Sequence, residues 1–428
     1  KLLQNKNLTM KSKSSKRIGI FGFGCVGQGL HDVLQENPHL EVARICVRDR
    51  DKLRTLPGEI FTYNPQELLQ DESIDLFAEL ISDPKEALEI VRQALEAGKT
   101  IVSANKKMIS ENLPALVALQ QEFGGTLLYE AAVCGSIPIL RTLESYYGTE
   151  PLQEVSGILN GSSNYILSKL DAEGLSYNEA LAQAQALGFA EADPTLDVGG
   201  YDTLHKISLI CAHAFGAVIK PEQVLRAGIQ HITKRDIALA QSLGARFRLV
   251  ASARVNQYNR LELQVLPTLV FPDSELYYVD AEFNGVQLEA KYAGNQFLKG
   301  RGAGSHPTGS AVWADVSAAL AGYKYGYPKF KYDQEERLQD ITLEEEDELQ
   351  VYLRTPRPEL LPPLPWLSLT SFGVDANVGQ LVGTIRRKDL LRHLPALKQT
   401  TAFIAQLPSH VSAEQVVNAS SLLLQEAA

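Results

Sequence analysis

Residues 17–21 form a short apolar run that ends in Gly22-Phe23-Gly24-Cys25-Val26-Gly27, and a helical pattern occupies 26–35 behind it. A G-x-G-x-x-G run between a strand and a helix leaves the local chain few choices. The first glycine permits the tight turn, the second lets a pyrophosphate come against the backbone, and the third lets helix and strand pack closely. The helix N-terminus offers N–H groups and the positive end of its dipole to an anion. Alone the motif also suits a plain turn, so its setting decides. Strand-like runs follow at 41–47, 76–81, 100–102 and 126–129, separated by helical stretches such as 84–97 and 113–123. Gly98 falls just past one of these helices, where a C-terminal glycine belongs. This alternation predicts βαβ units, a parallel sheet and a dinucleotide site.

At the end of the second strand, an acidic residue would accept a ribose 2′-hydroxyl and an arginine would pair with a 2′-phosphate. The chain has Arg48-Asp49-Arg50, which holds both. The arginine comes first and favours NADP over NAD; a surface turn whose charges pair with one another is the alternative.

Composition narrows the class. Of 428 residues, 45% are hydrophobic and 21% charged, which excludes a mostly disordered chain and allows two or three domains. With 51 acidic against 41 basic residues the net charge is −10, which argues against a nucleic-acid partner. The basic cluster at 11–17 precedes the first strand and reads as a solvated end. No apolar run reaches the roughly 20 residues of a bilayer span; the longest, 207–218, carries His213. Cys25, Cys46, Cys134 and Cys211 form no C-x-x-C pair and read as buried thiols in a reducing compartment, so a soluble cytoplasmic protein is expected. Residues 1–9, ahead of Met10, are set aside from fold reasoning.

From about 143 the pattern changes to β-rich runs at 155–159 and 247–266 flanking two well-marked helices, which predicts an α+β domain. Ser176 with Glu179 forms a capping box for one helix, and Gly188 ends it; the other runs from about 200 to 215. A glycine-rich turn at 300–304 leads into a helix at 308–322. Five acidic residues at 344–348 and five prolines in 356–365 read as a linker. Beyond it, strand, strand, helix and strand at 367–372, 380–385, 389–397 and 402–407 predict a small third domain.

Chemistry concentrates after the capped helix. Glu191, Asp193 and Asp197 place three carboxylates in seven residues, followed by Asp202 and Lys206. Such a group can bind an ammonium ion; calcium spacing and zinc ligands are missing. Asp202 and Lys206 stand at i and i+4 on one helix face, where Ile210 and His213 continue. A lysine held there by a carboxylate can act as a general acid. Spacing alone favours a plain surface ion pair worth roughly 0.3–0.5 kcal/mol. Lys106 follows the strand at 100–102 and could bind a phosphate, a carboxylate or a reacting oxygen, although a lone lysine there is more often a solvated one.

Six ordered blocks over about 16–325 resemble homoserine dehydrogenase: GIFGFGCVGQG, VSANKKMI, YEAAVCGSIPIL, GILNGSSNYIL, GFAEADPTLDVGGYDTLHKISLI and GRGAGSHPTGSAVWADV. The resemblance implies reversible NAD(P)H-dependent reduction of L-aspartate 4-semialdehyde to L-homoserine, on the route to threonine and methionine. It also implies a Rossmann-type nucleotide-binding domain at 10–142 with 303–335, an α+β catalytic and dimerisation domain at 143–302, and a homodimer. A C-terminal ACT-like α+β domain at 349–428 is expected. By matched position, Lys206 would donate the proton, positioned by Asp202, and Glu191 and Asp197 would hold the substrate ammonium. Lys106 would lie between cofactor and substrate. Gly22, Phe23, Gly24, Cys25, Val26, Gly27, Arg48, Ser82, Ser103, Gly302 and Gly304 would border the cofactor. Glu130 with the carbonyls of Val133, Gly135 and Ile137 would hold a sodium ion; the residues alone read there as a helix capped at Ser136 with Pro138 in its first turn.

The chain departs from the family pattern at Ser103, where threonine is usual, and in the proline-rich segment that replaces the usual glycine turn of an ACT domain. Another NAD(P)-dependent aldehyde or imine reductase is the nearest rival, and the block from Glu191 to Lys206 argues against it. A non-catalytic dinucleotide-sensing regulator would be expected to lose those residues, and all are present.

Overall fold

The computed structural model describes residues 15–37, 40–331, 342–375 and 378–426. The expectations made for 1–14, for 332–335 and for the last two residues fall outside this set.

The first sheet is wholly parallel. It comprises β1 (Lys16–Phe21), β2 (Leu40–Cys46), β3 (Phe61–Thr62), β4 (Leu76–Glu79), β5 (Thr100–Ser103) and β6 (Thr126–Leu128), in the order β3-β2-β1-β4-β5-β6. That is the doubly wound arrangement, and the strand order reverses between β1 and β4, so a ligand crevice opens at their carboxyl ends. Ile18, Ile20, Phe21, Phe77 and Ile101 are buried, as strands covered on both faces require. Helices α1 (Cys25–Gln35), α2 (Gln66–Leu69), α3 (Pro84–Glu96), α4 (Lys106–Phe123) and α5 (Ile139–Ser145) belong to this half. Helix α4 begins before the expected residue 113. Leu113-Pro114 imitates a helix start, but Asn105 accepts the Met108 N–H and caps the helix there. Helix α5 has no side-chain cap, which corrects the expected role of Ser136; its hydroxyl instead meets the backbone of Arg301.

The second half contains β7 (Leu152–Ile158), β8 (Leu225–Arg226), β9 (Arg246–Val255), β10 (Leu261–Val270), β11 (Phe283–Ala290) and β12 (Gly294–Arg301). Its helices are α6 (Gly161–Glu173), α7 (Tyr177–Ala186), α8 (Thr195–Val198), α9 (Tyr201–Phe215), α10 (Lys234–Ser242) and α11 (Ser305–Leu320). The capping box of Ser176 and Glu179 is formed, and Gly216 ends α9 in the left-handed conformation. Helix α11 starts at Ser305 rather than 308, and Gly300 and Arg301 complete β12 instead of making a turn. It crosses back onto α1, where a Cβ on Gly309 would come 2.5 Å from the carbonyl carbon of Gly29.

The C-terminal part departs most from expectation. Strands β13 (Glu348–Thr355), β14 (Ser368–Asp375), β15 (Val378–Arg386) and β16 (Phe403–Gln406), with α12 (Arg387–Gln399) and α13 (Ala413–Glu426), do not form a separate sheet. All join the second sheet, in the order β12-β11-β7-β9-β10-β16-β13-β15-β14, with β8 beside β10. The join is β16, which runs parallel to β10 at Thr268 and antiparallel to β13. Nor is the acidic run a free linker. Glu344 is buried, accepts from Asn256 Nδ2 at 2.8 Å, and donates its N–H to the Leu261 carbonyl at 2.9 Å. Pairing at the end of the β9–β10 hairpin offsets the like-charge repulsion that would otherwise extend the run. Arg354 bonds Asp236 of α10 at 2.8 Å, and Arg387 bonds the Leu263 carbonyl at 3.0 Å, so buried charges stitch this part to β10 and α10.

Candidate active site

The glycine run lies where the parallel sheet reverses. Gly22 has φ +96°, and a Cβ there would meet the Leu80 carbonyl at 2.6 Å. A Cβ on Gly27 would come 2.5 Å from the Gly22 carbonyl oxygen, whereas Gly24 faces open space. No side chain caps α1, so its N-terminal N–H groups are left for an anion. The N-terminus of α11 stands beside it: Ser305 Oγ donates to the Cys25 carbonyl at 2.9 Å, and Gly304 precedes the helix at φ +121°. Phe23 is buried and Val26 partly so, while Cys25 is exposed, which corrects the expectation of four buried thiols. Arg48 and Ser82 are exposed. Gly302 lies against Asn284, and no side chain would fit between them. This bare cradle at two helix N-termini fits a dinucleotide.

Past β2, Asp49 accepts the N–H groups of Asp51 at 2.9 Å and Lys52 at 3.2 Å with one carboxylate oxygen. Arg54 donates to the Asp49 carbonyl at 2.6 Å, and Arg50 lies over the Tyr63 ring at 4.7 Å. The carboxylate is thus turned into its own loop rather than toward either arginine.

The reactive cluster sits at the N-terminus of α9. Lys206 Nζ is 2.7 Å from Asp202 Oδ2 and donates to the Leu159 carbonyl at 2.7 Å; Lys106 Nζ is 2.9 Å from Asp202 Oδ1. Asp202 and Lys206 are buried, which overturns the surface-pair reading, and Lys106 is paired rather than simply solvated, with 37% of its side chain exposed. Burial alone would raise the Asp202 pKa, but the two ammonium groups and the Asn160 amide outweigh it and hold the carboxyl well below the usual range. Asp202 in turn raises the Lys106 pKa.

Asn160 was not singled out in the sequence. It caps α6 by accepting the Ser163 N–H at 2.8 Å, and its amide reaches Asp197 Oδ1 at 2.7 Å and Asp202 Oδ2 at 3.0 Å. The only signal was an asparagine at a strand-to-helix junction, which caps as readily without a site. Burial and the nearby Asp202 raise the Asp197 pKa. Glu191 is exposed on the same loop, and its charge acts on Lys106. Asp193, counted with them, is turned away to accept the N–H and hydroxyl of Thr195.

The segment from Glu130 borders this cluster, where Lys206 and Asp202 act on Cys134. Burial and Asp315 raise the Glu130 pKa to about 7; its oxygens accept the N–H groups of Leu140 at 2.8 Å and Arg141 at 2.7 Å. Gly135 has φ +54°, and the Ile137 carbonyl already accepts the Ile139 N–H at 2.8 Å. Ser103, also expected at the cofactor, is buried with its hydroxyl on Glu79 at 2.5 Å.

A doubly wound dinucleotide sheet whose crevice is completed by a buried lysine–carboxylate pair of a second domain defines an NAD(P)-dependent oxidoreductase. The family model described as "Homoserine dehydrogenase, NAD binding domain" matches residues 22–130, and that described as "Homoserine dehydrogenase" matches 138–317. A homoserine dehydrogenase of Synechocystis sp. is 39% identical over 312 residues, covering 70% of this chain and 72% of the relative. The structure of a homoserine dehydrogenase from Thiobacillus denitrificans superposes with TM-score 0.77 at 30% identity, covering 92% of this chain and 98% of that one. A hyperthermophilic archaeal homoserine dehydrogenase in complex with NADPH superposes with TM-score 0.63 at 26% identity, covering 73% of this chain and 99% of its own. The chain belongs to the homoserine dehydrogenase family.

Proposed function

We propose that the Lys106–Asp202–Lys206 cluster is the catalytic centre for reduction of L-aspartate 4-semialdehyde to L-homoserine. One observation carries the assignment. Lys206 spends one N–H on Asp202 and one on the Leu159 carbonyl, so its third N–H is the one left to meet a substrate oxygen. A bound nicotinamide supplies the hydride. As negative charge grows on the aldehyde oxygen, Lys206 stabilises it and delivers the proton, with Asp202 fixing the ammonium's direction. Lys106 lies on the cofactor side of the same carboxylate. Glu191 and Asp197 hold the substrate ammonium: with Asp202 they make three negative charges against two lysines, which leaves room for one more cation. Asn160 keeps Asp197 and Asp202 side by side despite their like charge. The test is to follow NADPH and NADH oxidation with L-aspartate 4-semialdehyde in wild type and Lys206→Ala. Turnover lost in the variant, with cofactor binding kept, supports the assignment; equal loss of both opposes it.

Gly22, Phe23, Gly24, Cys25, Val26 and Gly27 bind the pyrophosphate side of the cofactor, Ser82 and Ser103 border its nicotinamide end, and Gly302 and Gly304 close over it. NADP is preferred, because one Asp49 carboxylate oxygen is bound within its own turn and the exposed Arg48 stands first to meet a 2′-phosphate. Sodium is held by Glu130 and the carbonyls of Val133, Gly135 and Ile137. Glu130 and Asp315 are buried carboxylates that act on each other, and a monovalent cation would offset their like charge and fix this loop. The enzyme works in the cytoplasm as a homodimer formed through the catalytic sheet, supplying homoserine for threonine and methionine. Its C-terminal part is ACT-like, with strands numbered within it in the order fourth, first, third, second.

A further inference from the structure

Glu79 is a fully buried carboxylate at the carboxyl end of β4, with no cation paired to it among the described residues. Its two oxygens face different loops. Oε1 accepts the Ile81 N–H at 2.6 Å, and Oε2 accepts the Ser103 hydroxyl at 2.5 Å. Ser103 Oγ then accepts the Asn105 N–H at 3.1 Å, and Asn105 Nδ2 donates to the Ile81 carbonyl at 3.0 Å. The four residues close a ring across the ends of β4 and β5. Asn105 also caps α4, whose first residue is Lys106.

We propose that Glu79 is a positioning residue for the reaction: its ring fixes the two strand-end turns that border the cofactor and aims Lys106 at Asp202. This rests on the role assigned above to Lys106. The ring is closed with every one of its hydrogens bonded only while Glu79 is ionised. A proton on Oε2 would have to point at Ser103 Oγ, and the serine hydrogen would then lose its acceptor. Burial pushes the Glu79 carboxyl up to about 7; Glu86, on α3, is the charged group that bears on it and acts in the same sense. A glutamine leaves the same serine hydrogen without its acceptor, since its amide would donate to Ser103 Oγ where the carboxylate accepts from it.

The decisive experiment measures kcat and KM for NADPH and for L-aspartate 4-semialdehyde across neutral pH in wild type, Glu79→Gln, Ser103→Ala and Lys106→Ala. Wild-type kcat is expected to rise as pH passes through about 7. Glu79→Gln should lose that rise and run about tenfold slower on its plateau, as misplacement near a reacting centre does. Ser103→Ala, which opens the ring but keeps the carboxylate, should also lower kcat, and it decides the question if Glu79→Gln does not fold. Wild-type kcat and an unchanged pH profile in the folded ring variants would overturn the proposal even if their stability changed. Full turnover in Lys106→Ala would overturn both this and the site assignment. Turnover lost in Lys106→Ala but intact in the ring variants would overturn the ring alone.

Discussion

Lys206 illustrates how burial changes the meaning of a spacing. The i, i+4 pair with Asp202 was legible in the sequence, but nothing local said that α9 would be buried over most of its length. That depends on α4, α5, β9 and β7 packing around it. Removing the ammonium should therefore do more than break a pair. Lys206→Ala is expected to lower turnover by about 10²–10⁴-fold, while NADPH affinity measured by fluorescence changes less than twofold. Arg48 makes the contrasting case. It is exposed, so Arg48→Ala should lower kcat/KM for NADPH about tenfold and leave that for NADH nearly unchanged in steady-state assays. Glu79 has a consequence for stability as well. Its pKa is raised from 4.5 to about 7 in the fold, so between those values the native state holds a proton that the unfolded chain releases. Stability contributed by this group is full below about 4.5 and is lost as pH rises through 7, by up to roughly 1.4 kcal/mol per pH unit. Glu79→Gln should flatten that part of a plot of Tm against pH.

Among the elements, the βαβ half was readable almost strand by strand, because strands covered on both faces are short apolar runs and the helix after β4 carries its own cap. Asp83 accepts two N–H groups ahead of Pro84, and Gly98 turns the chain at φ +65°. The exceptions were set by long-range contact. The start of α4 was misplaced because a proline at 114 looks like a first-turn residue wherever it stands. Ser136 was read as a cap, yet its hydroxyl is claimed by Arg301, far along the chain. The approach of α1 and α11 gave no sequence signal beyond two glycines. It makes a sharp prediction: a methyl group on Gly29 would run into the Ser305 carbonyl. Gly29→Ala should destabilise by roughly 1–3 kcal/mol in urea unfolding and weaken cofactor binding, since it displaces the helix whose N-terminus forms the cradle.

At the scale of the whole molecule the sequence predicts three domains, and among the described residues the strands of the second and third share one sheet. Composition marked 344–365 as a linker, and only tertiary pairing shows that Glu344 is an anchor and that β16 extends the catalytic sheet. Asp236 carries the junction's buried charge and is matched by Arg354. Arg354→Ala would leave that buried carboxylate without its cation, held only by Tyr352 and Thr233, which should lower stability by about 3–5 kcal/mol in denaturant melts. The loss should appear as one cooperative transition for β9, β10 and the C-terminal strands together. The residues of the reactive cluster were legible because short polar side chains gather there on a loop between capped helices; the residues that hold them, Asn160 and Glu79, were not, since each also looks like an ordinary cap or strand end.

The contact of Ser305 with Cys25 joins residues 280 positions apart. A ribosome extends a chain at about 5–20 residues per second, so the glycine cradle waits on the order of 15–60 seconds after its own synthesis before α11 arrives to complete it. The nucleotide half is thus begun before the catalytic half and completed after it, and cofactor capture by a nascent chain would report that the catalytic half has already been made.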